Sequence, residues 1–276
     1  MSSSIELSGV RQTFWVRGED DKKLREFVAV DRLDLSVEAG DFLTIVGPSG
    51  SGKSTVLDLI AGLTRPSAGT VTVGGREVTG PGPDRGVVFQ QYTLLPWRTA
   101  QANIEFALEA VGGLSRAQRR EKARAYLDLV GLSEFAHRYP HELSGGMKQR
   151  VAIARSLSYE PGVLLMDEPF GALDAQTRER LQEELVDIWQ RTGTTIVFIT
   201  HDIDEAIFLG RRVAVLSARP GRVKEVLEIN LDRTQTGEVD VRATPEFAAH
   251  RHHIWTSLRQ QESTAAAPSS EELSSV

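Results

Sequence analysis

The chain has 276 residues, 40% of them hydrophobic and 25% charged, an ordinary globular composition long enough for one large domain or a domain with a subdomain. It contains no Cys, which excludes disulfides, thiolate metal sites and a cysteine nucleophile, and which fits an intracellular location. Its net charge of −6, from 32 basic and 38 acidic residues, is the wrong balance for a nucleic-acid coat. No apolar run approaches the roughly 18–20 residues of a membrane-spanning helix, and the first residues lack the basic and apolar regions of a secretory signal.

In chain order, residues 5–16 alternate loosely and read as a strand. Arg17-Gly18-Glu19-Asp20-Asp21-Lys22-Lys23 reads as a solvated hairpin loop, and residues 28–37 as a returning strand. Phe42-Leu43-Thr44-Ile45-Val46 is an apolar run suited to a strand buried on both faces of a parallel sheet. Residues 53–63 have helical spacing, and residues 71–78 read as a second hairpin punctuated by Gly80-Pro81-Gly82-Pro83. From 98 to 157 the pattern is mostly helical, and its basic run (Arg116, Arg119, Arg120, Lys122, Arg124) reads as a solvated helix face. Buried-strand runs follow at 163–166, 194–199 and 213–216, with a helix at 178–190. Residues 245–261 read as an amphipathic helix with Phe247, Ile254 and Leu258 on one side, and the Ser, Ala and Glu after it as a disordered tail. Strands alternating with helices indicate an α/β core with a parallel sheet, and the helical stretch within it a separate lobe.

Gly47-Pro48-Ser49-Gly50-Ser51-Gly52-Lys53-Ser54, followed by Thr55, fits G-x-x-x-x-G-K-[ST] directly after a buried strand and at the start of a helix. The glycines let backbone N–H groups wrap a phosphate, the helix N-terminus adds positive potential, and Lys53 supplies a cation to the β and γ phosphates. Ser54 offers a hydroxyl to Mg²⁺. Asp167 and Glu168 emerge where a buried strand ends, the place where open α/β sheets gather ligands. Asp167 is assigned to the metal and Glu168 to the attacking water. In Leu143-Ser144-Gly145-Gly146-Met147-Lys148-Gln149-Arg150, Ser144 is a good N-cap and Gly145 and Gly146 allow close backbone approach. This is a second helix N-terminus built to meet an anion, and a single nucleotide has little need of both from one chain. Two chains head to tail would place each such helix over the partner's γ-phosphate.

With these motifs the chain resembles the nucleotide-binding subunit of an ABC transporter over residues 5–230. The resemblance identifies the phosphate loop with the Walker A motif, Asp167 and Glu168 with Walker B and the catalytic glutamate, and Leu143 to Gln149 with the signature. It implies that Gln90 reaches Mg²⁺ and couples to the membrane partner, that Asp174 belongs to the D-loop, and that His201 contacts the γ-phosphate. It also places an aromatic on adenine at Phe14, with Trp15 adjacent. Residues 80–90 followed by Leu94-Leu95-Pro96-Trp97, the run Asp167 to Asp174, and Ser217-Ala218-Arg219-Pro220-Gly221-Arg222 are similar to importers of the nitrate, sulfonate and taurine class. The Leu94 to Trp97 cluster is either local packing or the groove that receives a helix of the membrane subunit. His250, His252 and His253 lack a partner at ligand spacing, so no metal tract is read there.

The expectation is therefore an α/β P-loop NTPase (RecA-like) with a parallel-sheet core, an antiparallel β subdomain and a helical subdomain inserted at about 92–158. An extension with an amphipathic helix occupies 231–261 and a disordered tail 262–276. The resemblance implies a subunit that binds and hydrolyses ATP with Mg²⁺, as a homodimer joined through ATP at the cytoplasmic face of a bacterial inner membrane. The partners it implies are integral membrane permease subunits and, indirectly, an extracytoplasmic solute-binding protein, with no nucleic acid. A soluble ABC-type ATPase of translation or DNA repair is the alternative, disfavoured by the single cassette and the acidic charge. A P-loop kinase or GTPase has no use for the Ser144 helix or His201.

Overall fold

The computed structural model describes residues 2–17, 23–231 and 240–265. Strands β1 (Ile5–Arg17) and β2 (Leu24–Val37) pair antiparallel from Ile5↔Val37 out to Arg17↔Leu24. The charged segment read as a hairpin loop thus joins paired strands, although residues 18–22 themselves lie outside the described residues. Strands β4 (Ala68–Val73) and β5 (Arg76–Glu77) complete an antiparallel sheet of order β2-β1-β4-β5. Alternation along these strands sends Ile5, Leu7, Val71 and Val73 inward, as a half-covered sheet requires.

The second sheet has the order β10-β9-β3-β8-β7-β6. Here β3 (Phe42–Val46), β8 (Thr195–Ile199), β7 (Val163–Asp167), β6 (Arg85–Val88) and β9 (Arg212–Leu216) run parallel, and β10 (Val223–Glu228) is antiparallel to β9. Every residue of β3 and β8 is buried, which is why both are continuous apolar runs. Ile5, Leu7 and Val71 of the first sheet share one core with Leu43, Ile45 and Val197 of the second and with Val56, Leu57 and Ile60 of α1 (Lys53–Ala61). Each such side chain contributes roughly 1.5–3 kcal/mol by leaving water.

Between β6 and β7 stand α2 (Ala100–Val111), α3 (Arg116–Leu129) and α4 (Gly145–Leu157). Thr99 caps α2, a Ser115/Gln118 capping box starts α3, and Ser144 caps α4. Only Ala123 and Leu127 of α3 are buried, so its basic run faces solvent. After β7 come α5 (Ala175–Thr192) and, beyond β8, α6 (Ile203–Leu209), a short helix without a clear periodic signal in the sequence. The last helix, α7 (Pro245–Ala265), buries Phe247 and Ile254 against Val213, Val215, Ala206 and Ile207, with Leu258 packed alongside. It runs past Gln261, and residues 266–276 of the expected tail lie outside the described residues. Among the described residues no helix is long and apolar enough to cross a membrane.

Candidate nucleotide site

The site is built on the turn from β3 into α1. Gly50 and Gly52 hold φ of +75° and +83°, values that L side chains rarely adopt. A Cβ on Gly52 would stand 2.9 Å from the carbonyl oxygen of Ala29, so the loop lies too close to β2 for a side chain there. The Ser51 amide donates to the Pro48 carbonyl at 3.2 Å, and the buried Ser51 hydroxyl has no partner. α1 opens with no side-chain cap and no acidic residue in its first turn, leaving its N–H groups available to an anion.

Lys53 Nζ donates to the Gly47 carbonyl at 2.9 Å and to the Pro48 carbonyl at 3.1 Å. Burial pushes its ammonium pKa down, while Glu168 and Asp167 oppose that. The lysine is thus held by the loop carbonyls, within the electrostatic reach of the two acids. Ser54 Oγ donates to Asp167 Oδ1 at 3.4 Å. Burial raises the Asp167 pKa, and the Ser54 hydrogen bond counters it. Glu168 has φ of +43°, a strained conformation for a residue with a side chain. Its amide donates to the Ile199 carbonyl at 3.0 Å, tying the ends of β7 and β8 together. From there Glu168 Oε2 lies 3.0 Å from His201 Nδ1. A Cβ on Gly171 would fall 3.6 Å from Gln90 Nε2 and 3.9 Å from Glu168 Oε2, so the Gln90 amide and the glutamate are neighbours.

A cavity of about 570 Å³ opens here, walled by Ser49, Gly50, Gly52, Lys53, Ser54 and Thr55 on one side and by Glu168 and His201 on another. Phe14 forms part of its wall, whereas Trp15, 67% exposed, does not; consecutive strand residues point to opposite faces. Gly47, Pro48 and Ser51 shape the loop without lining the cavity, Asp167 reaches it only through Ser54, and Gln90 stands outside the wall beside Glu168. Three further residues contribute. Phe27 is the cross-strand partner of Phe14, Ala29 backs the loop, and Arg219 donates from Nε to the Gly50 carbonyl at 3.3 Å with its guanidinium 5.4 Å from the Phe27 ring centre. Strand pairing brings Phe27 in and the β9–β10 turn brings Arg219, neither of which adjacency in sequence reveals.

The second anion-seeking helix end lies apart. Ser144 Oγ accepts from the Met147 amide at 3.3 Å, and no acidic residue occupies the first turn of α4. A Cβ on Gly146 would stand 2.8 Å from Thr177 Cγ2, so α4 packs against the start of α5, where Asp174 accepts from the Thr177 amide at 3.0 Å. None of Ser144, Gly145, Gly146 and Asp174 lines the cavity.

The donor set suits a nucleotide with a hard divalent cation. The loop glycines pack too closely on Arg219, Ala29 and Val30 to carry side chains, which leaves the loop amides bare, and Ser54 and Asp167 present oxygen atoms together. No group of three or more His, Asp or Glu among the described residues could hold a metal alone. Water and phosphate oxygens would thus complete its coordination, as Mg²⁺ prefers.

The ABC transporter family model matches residues 30–171. The chain is 53% identical over 239 residues to the nitrate import ATP-binding protein NrtD of Synechocystis sp., covering 85% of this chain and 90% of that protein. Among solved structures it resembles the dimer of an ATP-binding cassette in a post-hydrolysis state bound to ADP and Pi, with a TM-score of 0.70 and 35% identity over 82% of this chain and 99% of that one. It also resembles a Clostridium perfringens cassette that is part of the ABC transporter complex cbiONQ, with a TM-score of 0.69 and 26% identity over 81% of this chain and 88% of that one. With the phosphate loop, the paired acids and the facing histidine already assembled on one sheet end, these likenesses place the chain in the ABC transporter family as its ATP-binding, ATP-hydrolysing subunit.

Proposed function

We propose that two copies of this chain close head to tail around two ATP molecules and power an importer of a small anionic solute, nitrate or a sulfonate such as taurine. The observation that carries the reading is the divided site: one chain unites the phosphate loop, Glu168 and His201 around a cavity while the Ser144 helix end stands elsewhere. Phe14 stacks on the adenine. Lys53, the amides of Gly50 to Ser54 and Thr55 hold the phosphates, and Asp174 belongs to the facing surface. Ser54, Asp167 and Gln90 would hold Mg²⁺, which would supply neutralisation of phosphate charge there. Glu168 takes a proton from water as the water oxygen bonds to the γ-phosphorus and the bond to the bridging oxygen breaks, leaving ADP and phosphate. His201 is paired with Glu168 through Nδ1 at 3.0 Å, which leaves Nε2 to meet the γ-phosphate. Ser144, Gly145 and Gly146 of the second chain meet that phosphate from the other side, so its departure releases the pair. Likeness to a nitrate import protein supports the solute class and the importer direction. Permease subunits in the bacterial inner membrane, approached from the cytoplasm, and an extracytoplasmic binding protein complete the machine.

Light scattering on Glu168→Gln with and without ATP and Mg²⁺ tests the divided site. A nucleotide-dependent shift from monomer to dimer is expected. Ser144→Asp should abolish it, because Asp still caps α4 yet repels the phosphate. A monomer throughout, with the permease subunits also present, overturns the proposal.

A further inference from the structure

We infer that Arg242, in the segment that follows the nucleotide-site motifs, is a positioning residue for His201, so that the C-terminal extension takes part in ATP hydrolysis. The inference rests on the role of His201 proposed above. Arg242 lies in a short 3₁₀ turn, Val241–Ala243, ahead of α7 and well outside residues 30–171 of the family match. Its guanidinium sits 4.0 Å from the centre of the Phe208 ring on α6, and Nη2 donates to Gln182 Oε1 at 2.7 Å.

Gln182, 4% exposed on α5, passes the contact inward: its Nε2 donates to Glu205 Oε1 at 2.9 Å. Glu205 stands in the first turn of α6 and is 7% exposed. Thr200, 1% exposed, immediately precedes His201, and its hydroxyl accepts from the Asp202 amide at 3.0 Å. Asp202 Oδ1 in turn accepts from the amides of Asp204 and Glu205. The residues on both sides of His201 are therefore anchored to the helix that Arg242 grips.

What makes Arg242 more than a packing contact is the two-faced chemistry of the Gln182 amide. A buried amide has one acceptor and one donor end. Arg242 can only donate, so it fixes the carbonyl end outward and the NH₂ end toward the Glu205 carboxylate. Without the guanidinium, the carbonyl becomes a buried acceptor with no partner, and turning the amide to relieve it would set oxygen against carboxylate. Either outcome loosens Glu205, whose amide is held by Asp202, the residue after His201. α7 fixes Arg242 in place through Phe247 and Ile254, both fully buried, and through the Arg251–Asp204 ion pair to α6. The extension is thus clamped onto the helix that begins beside His201.

The test uses the full chain and measures turnover and nucleotide affinity separately. Arg242→Ala and Gln182→Leu should each lower kcat about tenfold, with the Kd for a fluorescent ATP analogue within about twofold of the parent. Arg242→Lys, which restores a donor, should recover most of kcat. In the His201→Ala background Arg242→Ala should slow turnover no further, since a residue acting through the histidine has nothing left to position. If His201→Ala itself keeps near-normal turnover, the reading of the histidine fails. If His201→Ala loses turnover while Arg242→Ala and Gln182→Leu, folded by circular dichroism, keep theirs, the positioning role is overturned. Multiplying losses in the double variant also overturn it. Should Arg242→Ala fail to fold, Arg242→Met, which keeps an unbranched stem but cannot donate, decides by the same readouts.

Discussion

Replacing Phe14 with Ala removes the aromatic wall of the cavity and asks which of two adjacent rings holds the base. Phe14 lines the cavity beside its strand partner Phe27, while Trp15 points to the other face and is 67% exposed. A base stacked on an aromatic ring is worth about 1–3 kcal/mol by alanine substitution, which is roughly five- to 150-fold in Kd. Phe27 retains part of the apolar wall, which places the expected loss toward the lower half of that range. Phe14 is itself 38% exposed, so the change should alter folding stability by no more than about 0.5 kcal/mol. The assay is equilibrium titration of ATP and ADP at fixed salt and Mg²⁺ on the parent, Phe14→Ala and Trp15→Ala. Both nucleotides should weaken by the same factor in Phe14→Ala, because the base is common to them, and Trp15→Ala should leave both unchanged. Loss of affinity in Trp15→Ala with Phe14→Ala intact, or a loss confined to ATP, refutes the reasoning.

Glu168→Gln should bind ATP yet turn over about 10²–10⁴-fold more slowly, the usual worth of a general base; steady-state phosphate release at near-parental rates contradicts its role. Lys53→Ala should abolish the thermal stabilisation by ATP, which for the parent at a hundred times Kd is about 2.7 kcal/mol, and a retained shift in melting would count against the phosphate loop assignment. Burial pushes the Glu205 pKa up, partly offset by Thr200 and Gln182. The folded chain thus holds that proton more tightly than the unfolded one, and the stability this confers is present at low pH and lost as pH rises through the raised pKa. Glu205→Gln keeps the acceptor for Gln182 and should flatten that part of the stability profile; an unchanged slope in chemical unfolding across that window removes the assignment. Phe247→Ala should cost about 3–5 kcal/mol and expose the segment from 240 onward to limited proteolysis, and a variant as resistant as the parent would mean that α7 is not held by this ring.

Sequence and fold agree where order along the chain and position in space coincide. The phosphate loop is contiguous and framed by a buried strand and a helix, so Gly47 to Ser54 could be recognised whole. The strand runs of β3, β7, β8 and β9 are apolar apart from Thr44, Asp167, Thr195 and Arg212 because both of their faces are covered. β6 escaped notice because it has only four residues, behind a Gly-Pro stretch. β10 did so because it is an edge strand with Lys224, Glu225 and Glu228 among its six residues, and α6 because seven residues give too few turns to display a period. The histidine and glutamate at 3.0 Å come from different strands; register between β7 and β8, absent from any local pattern, sets their distance. Phe27 and Arg219 enter the wall in the same way, and the choice of Phe14 over Trp15 as a wall residue follows from which face of β1 meets the cavity.

The cavity spans two sheets. Its aromatic wall belongs to the antiparallel sheet and its phosphate grip to the end of the parallel one. With adenine on Phe14 and the phosphates on the loop, as proposed above, ATP would be a bivalent ligand whose two modest binders are joined by the ribose, the second engaging at the effective concentration set by that short linker. Adenosine and inorganic triphosphate supplied together would occupy the same surfaces without this chelate advantage. The intact nucleotide, by contrast, spans the two sheets, so occupancy should slow hydrogen exchange in β1 and β2, strands far from the bond that is cleaved.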